Sequence, residues 1–182
     1  DADGCAFVLE VLQENTKALD LYSQHGFSIV RNFDCFCLES AKIGAVGPEQ
    51  CELVTDWETF CKLEVQRYMT YRPSWQNERT SILACAGQYR FIGLQQEGRL
   101  AAFAVVGVEG DIPQFGMLPD RRDTRTFATL LGRARKTTSA ERLKMINVEH
   151  DSVEGQLAQS SGFSVFARQF EMVRAPRKPV LG

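Results

Sequence analysis

The chain has 182 residues, 44% hydrophobic and 24% charged, enough for one full domain with a core plus a fragment. Its formal net charge of −2 excludes the electrostatic footprint of a nucleic-acid binder. No run of about 18 apolar residues offers a transmembrane helix, and no charged stretch followed by an apolar one marks a signal peptide.

The chain opens in mid-pattern at Asp1-Ala2-Asp3, which reads as the back part of a longer one. Ala6 to Val11 is a strand, apolar but for Glu10. Asn15 is a fair N-cap, and Ala18, Leu19, Leu21 and Tyr22 follow at helical spacing. Gly26 suits the left-handed position that ends a helix. Phe27 to Val30 and Asp34 to Glu39 are strand-like, joined through Arg31-Asn32. Ser40 to Gln50 contains Gly44, Gly47 and Pro48 and reads as a linker. The organisation expected is a partial unit over 1–43, a linker over 44–50, a complete unit over 51–175 and a loose tail over 176–182.

In the second unit Cys51 to Val54 is a strand, and Asp56 caps a helix predicted to run to about Tyr71, with Trp57, Phe60, Leu63 and Val65 among its apolar positions. Pro73 breaks it, and Ser74-Trp75-Gln76-Asn77 leads into a short helical segment ending near Ala86. Three strands follow: Arg90 to Gln95, Leu100 to Val108 and Ile112 to Leu118, turning at Glu97-Gly98 and Gly110-Asp111. Then come a helix from Thr124 to Lys136, a strand from Leu143 to Val148, a helix near Ser152 to Ser160 and a strand from Val165 to Arg174. The order defines a mixed α/β domain.

Cys5, Cys35, Cys37, Cys51, Cys61 and Cys85 form no Cys-x-x-Cys pair, and His25 and His150 lie far apart in the chain. A zinc site needs about four ligands at suitable spacing, so no metal is expected. Buried free thiols in a reducing cytoplasm are the simpler reading.

The chain ends as it begins. Asn15-Thr16-Lys17-Ala18-Leu19-Asp20-Leu21-Tyr22 and Gly26-Phe27 are matched by Asp151-Ser152-Val153-Glu154-Gly155-Gln156-Leu157-Ala158 and Gly162-Phe163, with identical spacing and an apolar strand before each. A fixed-offset repeat implies two copies of one unit.

The stretch from Leu9 to Phe27, with Asn15, Ala18, Leu21, Tyr22, Gly26 and Phe27 in the pattern Asn-x-x-Ala-x-x-Leu-Tyr-x-x-x-Gly-Phe, resembles the Gcn5-related N-acetyltransferase (GNAT) family. Pro73 to Asn77 resembles the second copy of some tandem members. The resemblance implies a mostly antiparallel central sheet flanked by helices, and N-acetyl transfer from acetyl-CoA to an amine of a small molecule or protein. It makes the chain the C-terminal portion of a two-copy protein; charge and periodicity give no support for a nucleic-acid or membrane partner.

Asn15 falls in the family pattern and is carried with the cofactor-binding set. Tyr22 takes the place of the acid that protonates the departing thiolate; Ala158 stands there in the second copy, with Ser160 and Ser161 nearby, and Asp151 is the expected cap of that copy's helix where the first has Asn15. A strand amide near Met117 or Leu118 would hold the oxyanion. The family's pyrophosphate loop has the form Arg/Gln-x-x-Gly-x-Gly/Ala, its glycines letting the backbone approach phosphate at a helix N-terminus. Here it reads Arg122-Asp123-Thr124-Arg125-Thr126-Phe127. Arg125 and Phe127 stand where small residues belong, and moving the register back by one puts Thr124 and Thr126 there instead. Asp123 adds a negative charge, whereas Arg122 and Arg125 can grip phosphate by side chain. Glu109, Asp111, Glu149 and His150 are the candidate bases.

Two readings stay open. One is an acetyltransferase or its C-terminal part. The other is a non-catalytic, degenerate copy that supports the front copy, lines its substrate cleft or makes a homodimer contact.

Overall fold

A computed structural model describes residues 5–44 and 52–176. Most of the linker, Cys51 and the tail beyond residue 176 lie outside the described residues. In chain order the elements are β1 (Phe7–Leu12), α1 (Thr16–Gln24), β2 (Ser28–Glu39), β3 (Glu52–Val54), α2 (Trp57–Lys62), α3 (Arg79–Ala84), β4 (Tyr89–Gln96), β5 (Arg99–Gly107), β6 (Gln114–Met117), α4 (Thr124–Thr137), β7 (Arg142–Glu149), α5 (Val153–Ser160) and β8 (Ser164–Arg174). This is the expected mixed α/β architecture with antiparallel sheets flanked by helices.

β3, β4, β5 and β6 form one antiparallel meander. The other sheet runs β1-β8-β2-β7, also antiparallel. The two strand–helix–strand motifs therefore interleave: β8 enters between β1 and β2, and β2 enters between β8 and β7. The pairing at the centre maps onto itself. Ser28 faces Val173 and Cys37 faces Ser164, and 164 − 28 and 173 − 37 are both 136. Each strand bulges once, at Val30 and at Phe166, again 136 apart. The repeat is thus a pseudo-two-fold relation between motifs, down to the bulges that tighten the local twist.

A parallel bridge joins the two sheets. The Ile112 amide donates to the Lys144 carbonyl at 2.7 Å, and the Lys144 amide donates to the Gly110 carbonyl at 2.9 Å. Beyond it β6 and β7 no longer pair, leaving a wedge between them. The larger core cluster lies on the helix side of this seam, where Phe127, Leu130, Leu131 and Ala134 of α4 meet Phe115, Met145, Leu157 and Phe163. These α4 positions fall at helical spacing and turn one apolar stripe inward. A second cluster, with Phe60, Tyr68, Ile82, Phe91 and Phe103, covers the other face of β4 and β5.

The thiols are not all buried as expected: Cys35 is, but Cys5, Cys61 and Cys85 are exposed because they lie at the chain's start or on or just after short outer helices. Three expectations about the elements also change. The two strand-like runs expected over Phe27 to Val30 and Asp34 to Glu39 are one strand from Ser28 to Glu39, because Arg31 and Asn32 pair with Glu171 and Phe170. The helix predicted to reach Tyr71 stops at Lys62. Leu63 is extended (ψ 128°), and the Tyr68 carbonyl, freed from helical bonding, accepts from the Met117 amide. The cap of α5 is Ser152 rather than Asp151: the Ser152 hydroxyl accepts from the Gly155 amide at 3.1 Å, while Asp151 turns through a left-handed φ of 61°. No helix among the described residues is long and apolar enough to cross a membrane.

Candidate functional site

The resemblance offers the amides of Met117 and Leu118, at the end of β6, for the oxyanion, and the chain's own segment from Tyr68 to Asn77 runs through the wedge beside them. On the β6 side, the Met117 amide donates to the Tyr68 carbonyl at 3.0 Å, and the Gln114 carboxamide donates to the Asn77 carbonyl at 2.5 Å. On the β7 side, the Asn77 carboxamide donates to the Ile146 carbonyl at 2.7 Å, and Asn147 donates to the Ser74 hydroxyl at 3.3 Å. From α5, the buried carboxylate of Glu154 accepts from the Thr70 amide at 2.8 Å and from its hydroxyl. Gly116 makes room for the segment: a Cβ there would stand 2.9 Å from both the Cβ and the carbonyl oxygen of Tyr68.

This arrangement uses the groups a thioester would need. The Met117 amide is spent on Tyr68, and the Leu118 amide donates to the Ala101 carbonyl at 2.9 Å. Arg122 turns inward, its guanidinium donating to the carbonyls of Met117 at 3.2 Å and Tyr68 at 3.3 Å.

The helix end is occupied too. α4 starts at Thr124 with Asp123 as its N-cap, and the Asp123 carboxylate accepts from the Thr126 amide at 2.8 Å and its hydroxyl at 3.1 Å. A carboxylate thus takes the place, at the positive end of the helix, where a phosphate would bind. Thr124 and Arg125 are exposed. Phe127 is fully buried, 5.2 Å from the Phe115 ring and 6.5 Å from that of Phe163. The residues present at this helix end do not fit a CoA pyrophosphate.

In the front motif, Asn15 caps α1, its side chain accepting from the Ala18 amide at 3.1 Å. Tyr22 is half-buried and edge-on to Phe27, with ring centroids 5.8 Å apart. The candidate bases are scattered. Glu149 lies 3.9 Å from Arg31. His150 meets the buried Asp34 through Nδ1 at 2.8 Å. Asp111 stands beside Tyr89, whose hydroxyl burial and that carboxylate push up to about 12. Glu109 and Ser160 are exposed, and the Ser161 amide closes the end of α5.

Sequence reasoning missed a polar seam where the interleaved sheet meets the Tyr68–Asn77 segment. Glu10, Glu171 and Arg31 lie side by side on β1, β8 and β2. Arg31 grips Glu171 through Nε at 2.8 Å and Nη2 at 2.7 Å, and donates to the Arg72 carbonyl at 2.5 Å. Glu10 accepts from Asn147 at 2.7 Å, while its other oxygen is buried without a partner among the described residues. Burial raises the Glu10 carboxyl above its ordinary range. The only local signal is Asn147, a residue type that tolerates the left-handed φ of 60° it adopts within β7.

No family model matches the sequence, and no curated protein matches it. Solved structures do. A GCN5-related N-acetyltransferase from Sphaerobacter thermophilus superposes with a TM-score of 0.61 at 16% identity, covering 98% of this chain and 62% of its own. One from Kribbella flavida gives 0.62 at 16% identity, covering 95% and 69%. A functionally unknown conserved protein from Staphylococcus epidermidis gives 0.65 at 8% identity, covering 97% and 74%. The chain thus has the GNAT fold and spans between 62% and 74% of the length of these three proteins.

Proposed function

We propose that this chain is the C-terminal part of a two-copy, acetyl-CoA-dependent N-acetyltransferase acting on a small-molecule or protein amine in a reducing cytoplasm. Its rear copy is non-catalytic and buttresses the front motif. The observation that carries this reading is the filled wedge: Tyr68 to Asn77 occupy it, and the amides of Met117 and Leu118 are both spent within the chain. Acetyl-CoA supplies the acyl thioester. Tyr22 of the front motif holds its proton at the phenolic oxygen, ready for the departing sulfur, and packing on Phe27 orients its ring. The rear copy has Ala158 at that position, fully buried, so the two copies divide acid and scaffold between them.

Calorimetric titration with acetyl-CoA tests the reading. The chain gives no binding heat at millimolar cofactor, and Arg122→Ala and Arg125→Ala change nothing. Micromolar binding that both variants abolish contradicts it, and assigns the rear loop a side-chain grip on phosphate.

A further inference from the structure

The repeated motif is covered on one side of the molecule and bare on the other. In the rear occurrence Leu143 and Met145 are fully buried, and Phe163 and Leu157 are 4% and 8% exposed. All four join the cluster formed by β4–β6 and α4. Their counterparts 136 residues earlier are Phe7, Leu9, Phe27 and Leu21. Phe7 is 46% and Leu21 51% exposed, Leu9 and Phe27 are only half-buried, and α1 has no buried residue at all.

The strand edges differ in the same way. Lys144 has its backbone engaged on the outer side by Gly110 and Ile112. Val8, its counterpart, lies on β1, the outermost strand of the sheet. An open edge flanked by exposed apolar side chains is a site of association. A charge distinguishes the front seat: Arg174 stands where the rear has Leu38. Its guanidinium lies 4.6 Å from the Phe7 ring centre and 5.2 Å from that of Phe27.

We propose that this face docks a second α/β unit, built like β3–β6 with α4 and lying outside residues 1–182. The lead-in to its last strand bonds Val8 in parallel, as Gly110 to Ile112 bond Lys144. Its helix covers Phe7, Leu21 and Phe27, and its margin carries a carboxylate for Arg174. A second copy of this chain cannot be the occupant in this geometry, because each copy's own β6 and α4 are already seated on its β7 and α5. The inference deepens the acyl-transfer reading by naming what completes the front motif. It rests on the repeat and the exposure contrast, and on that reading only for the chemistry of the completed site.

Two measurements test it. In the isolated chain, amide exchange at Val8 is at least 100-fold faster than at Lys144; equal protection of the two overturns the proposal. In the polypeptide carrying this sequence at its natural length, a photo-crosslinking residue placed at Leu21 captures a peptide from a strand-and-helix unit outside residues 1–182. The same probe at Leu157 captures α4 within the chain. Capture at Leu21 confined to residues 1–182, capture of a second copy of this chain, or a stable dimer abolished by Leu21→Asp overturns it. Neither measurement involves acetyl-CoA. Their failure therefore leaves the acyl-transfer reading standing, and binding of acetyl-CoA by the rear copy leaves the docking face standing.

Discussion

Phe127→Ala lowers the unfolding free energy by about 4 kcal/mol, the range for deleting a fully buried phenylalanine. The ring is completely inaccessible and sits between Phe115 of β6 and Phe163 at the turn into β8. Its loss opens a cavity where the meander, α4 and the interleaved sheet meet. Urea unfolding checks this. A value below about 1 kcal/mol would mean that Phe127 lies at the surface of α4, leaving room for the glycine-like approach that a phosphate loop needs. Phe127→Leu, which keeps most of the volume, costs about half as much and separates cavity formation from loss of the helix.

Gly116→Val costs about 3 kcal/mol, the upper range for overpacking. The clash is with the Cβ and backbone carbonyl of Tyr68, both at 2.9 Å, and with Met69 Cγ at 3.0 Å, so a side-chain rotation cannot relieve it. The substitution pushes the Tyr68–Asn77 segment away from β6 and breaks the bond between Met117 and Tyr68. Denaturant unfolding gives the loss, and chemical-shift changes centred on Met117, Tyr68 and Thr70 locate it. A neutral variant would show that the segment lies clear of the strand.

The repeat is legible in the sequence because its markers are local. Asn15 and Gly26 bracket α1, Gly162 closes α5 after Ser161, and the glycines take φ values of 82° and 91°. The α4 stripe and the meander turns are legible for the same reason, at Gly98 (φ 73°) and Gly110 (φ 86°). What is not legible is where each strand finds its partner. Nothing around Ser28 to Glu39 says that it pairs with β7 and β8 instead of β1, since hydrogen-bond partners more than 100 residues away leave no local trace.

The candidate site divides similarly. The departure at Arg125 and Phe127 from a small-residue loop can be read directly, and it is physically consistent with a buried Phe127 and a helix capped by Asp123. The segment filling the wedge cannot be read. Leu63, Tyr68 and Met69 are apolar at nearly helical spacing, and only tertiary contacts make that stretch leave the helix and lay Tyr68 against Gly116. Glu154 and Asn77, which fasten the segment, look like ordinary helix and loop residues in the sequence.

Amide hydrogen exchange with and without millimolar acetyl-CoA reports whether the wedge between β6 and β7 is closed by its own chain. The Met117 amide, bonded to Tyr68, is strongly protected in the free protein, and acetyl-CoA leaves its rate unchanged. Rapid exchange at Met117 in the free protein, slowed on adding acetyl-CoA, would show instead an open wedge that takes the cofactor.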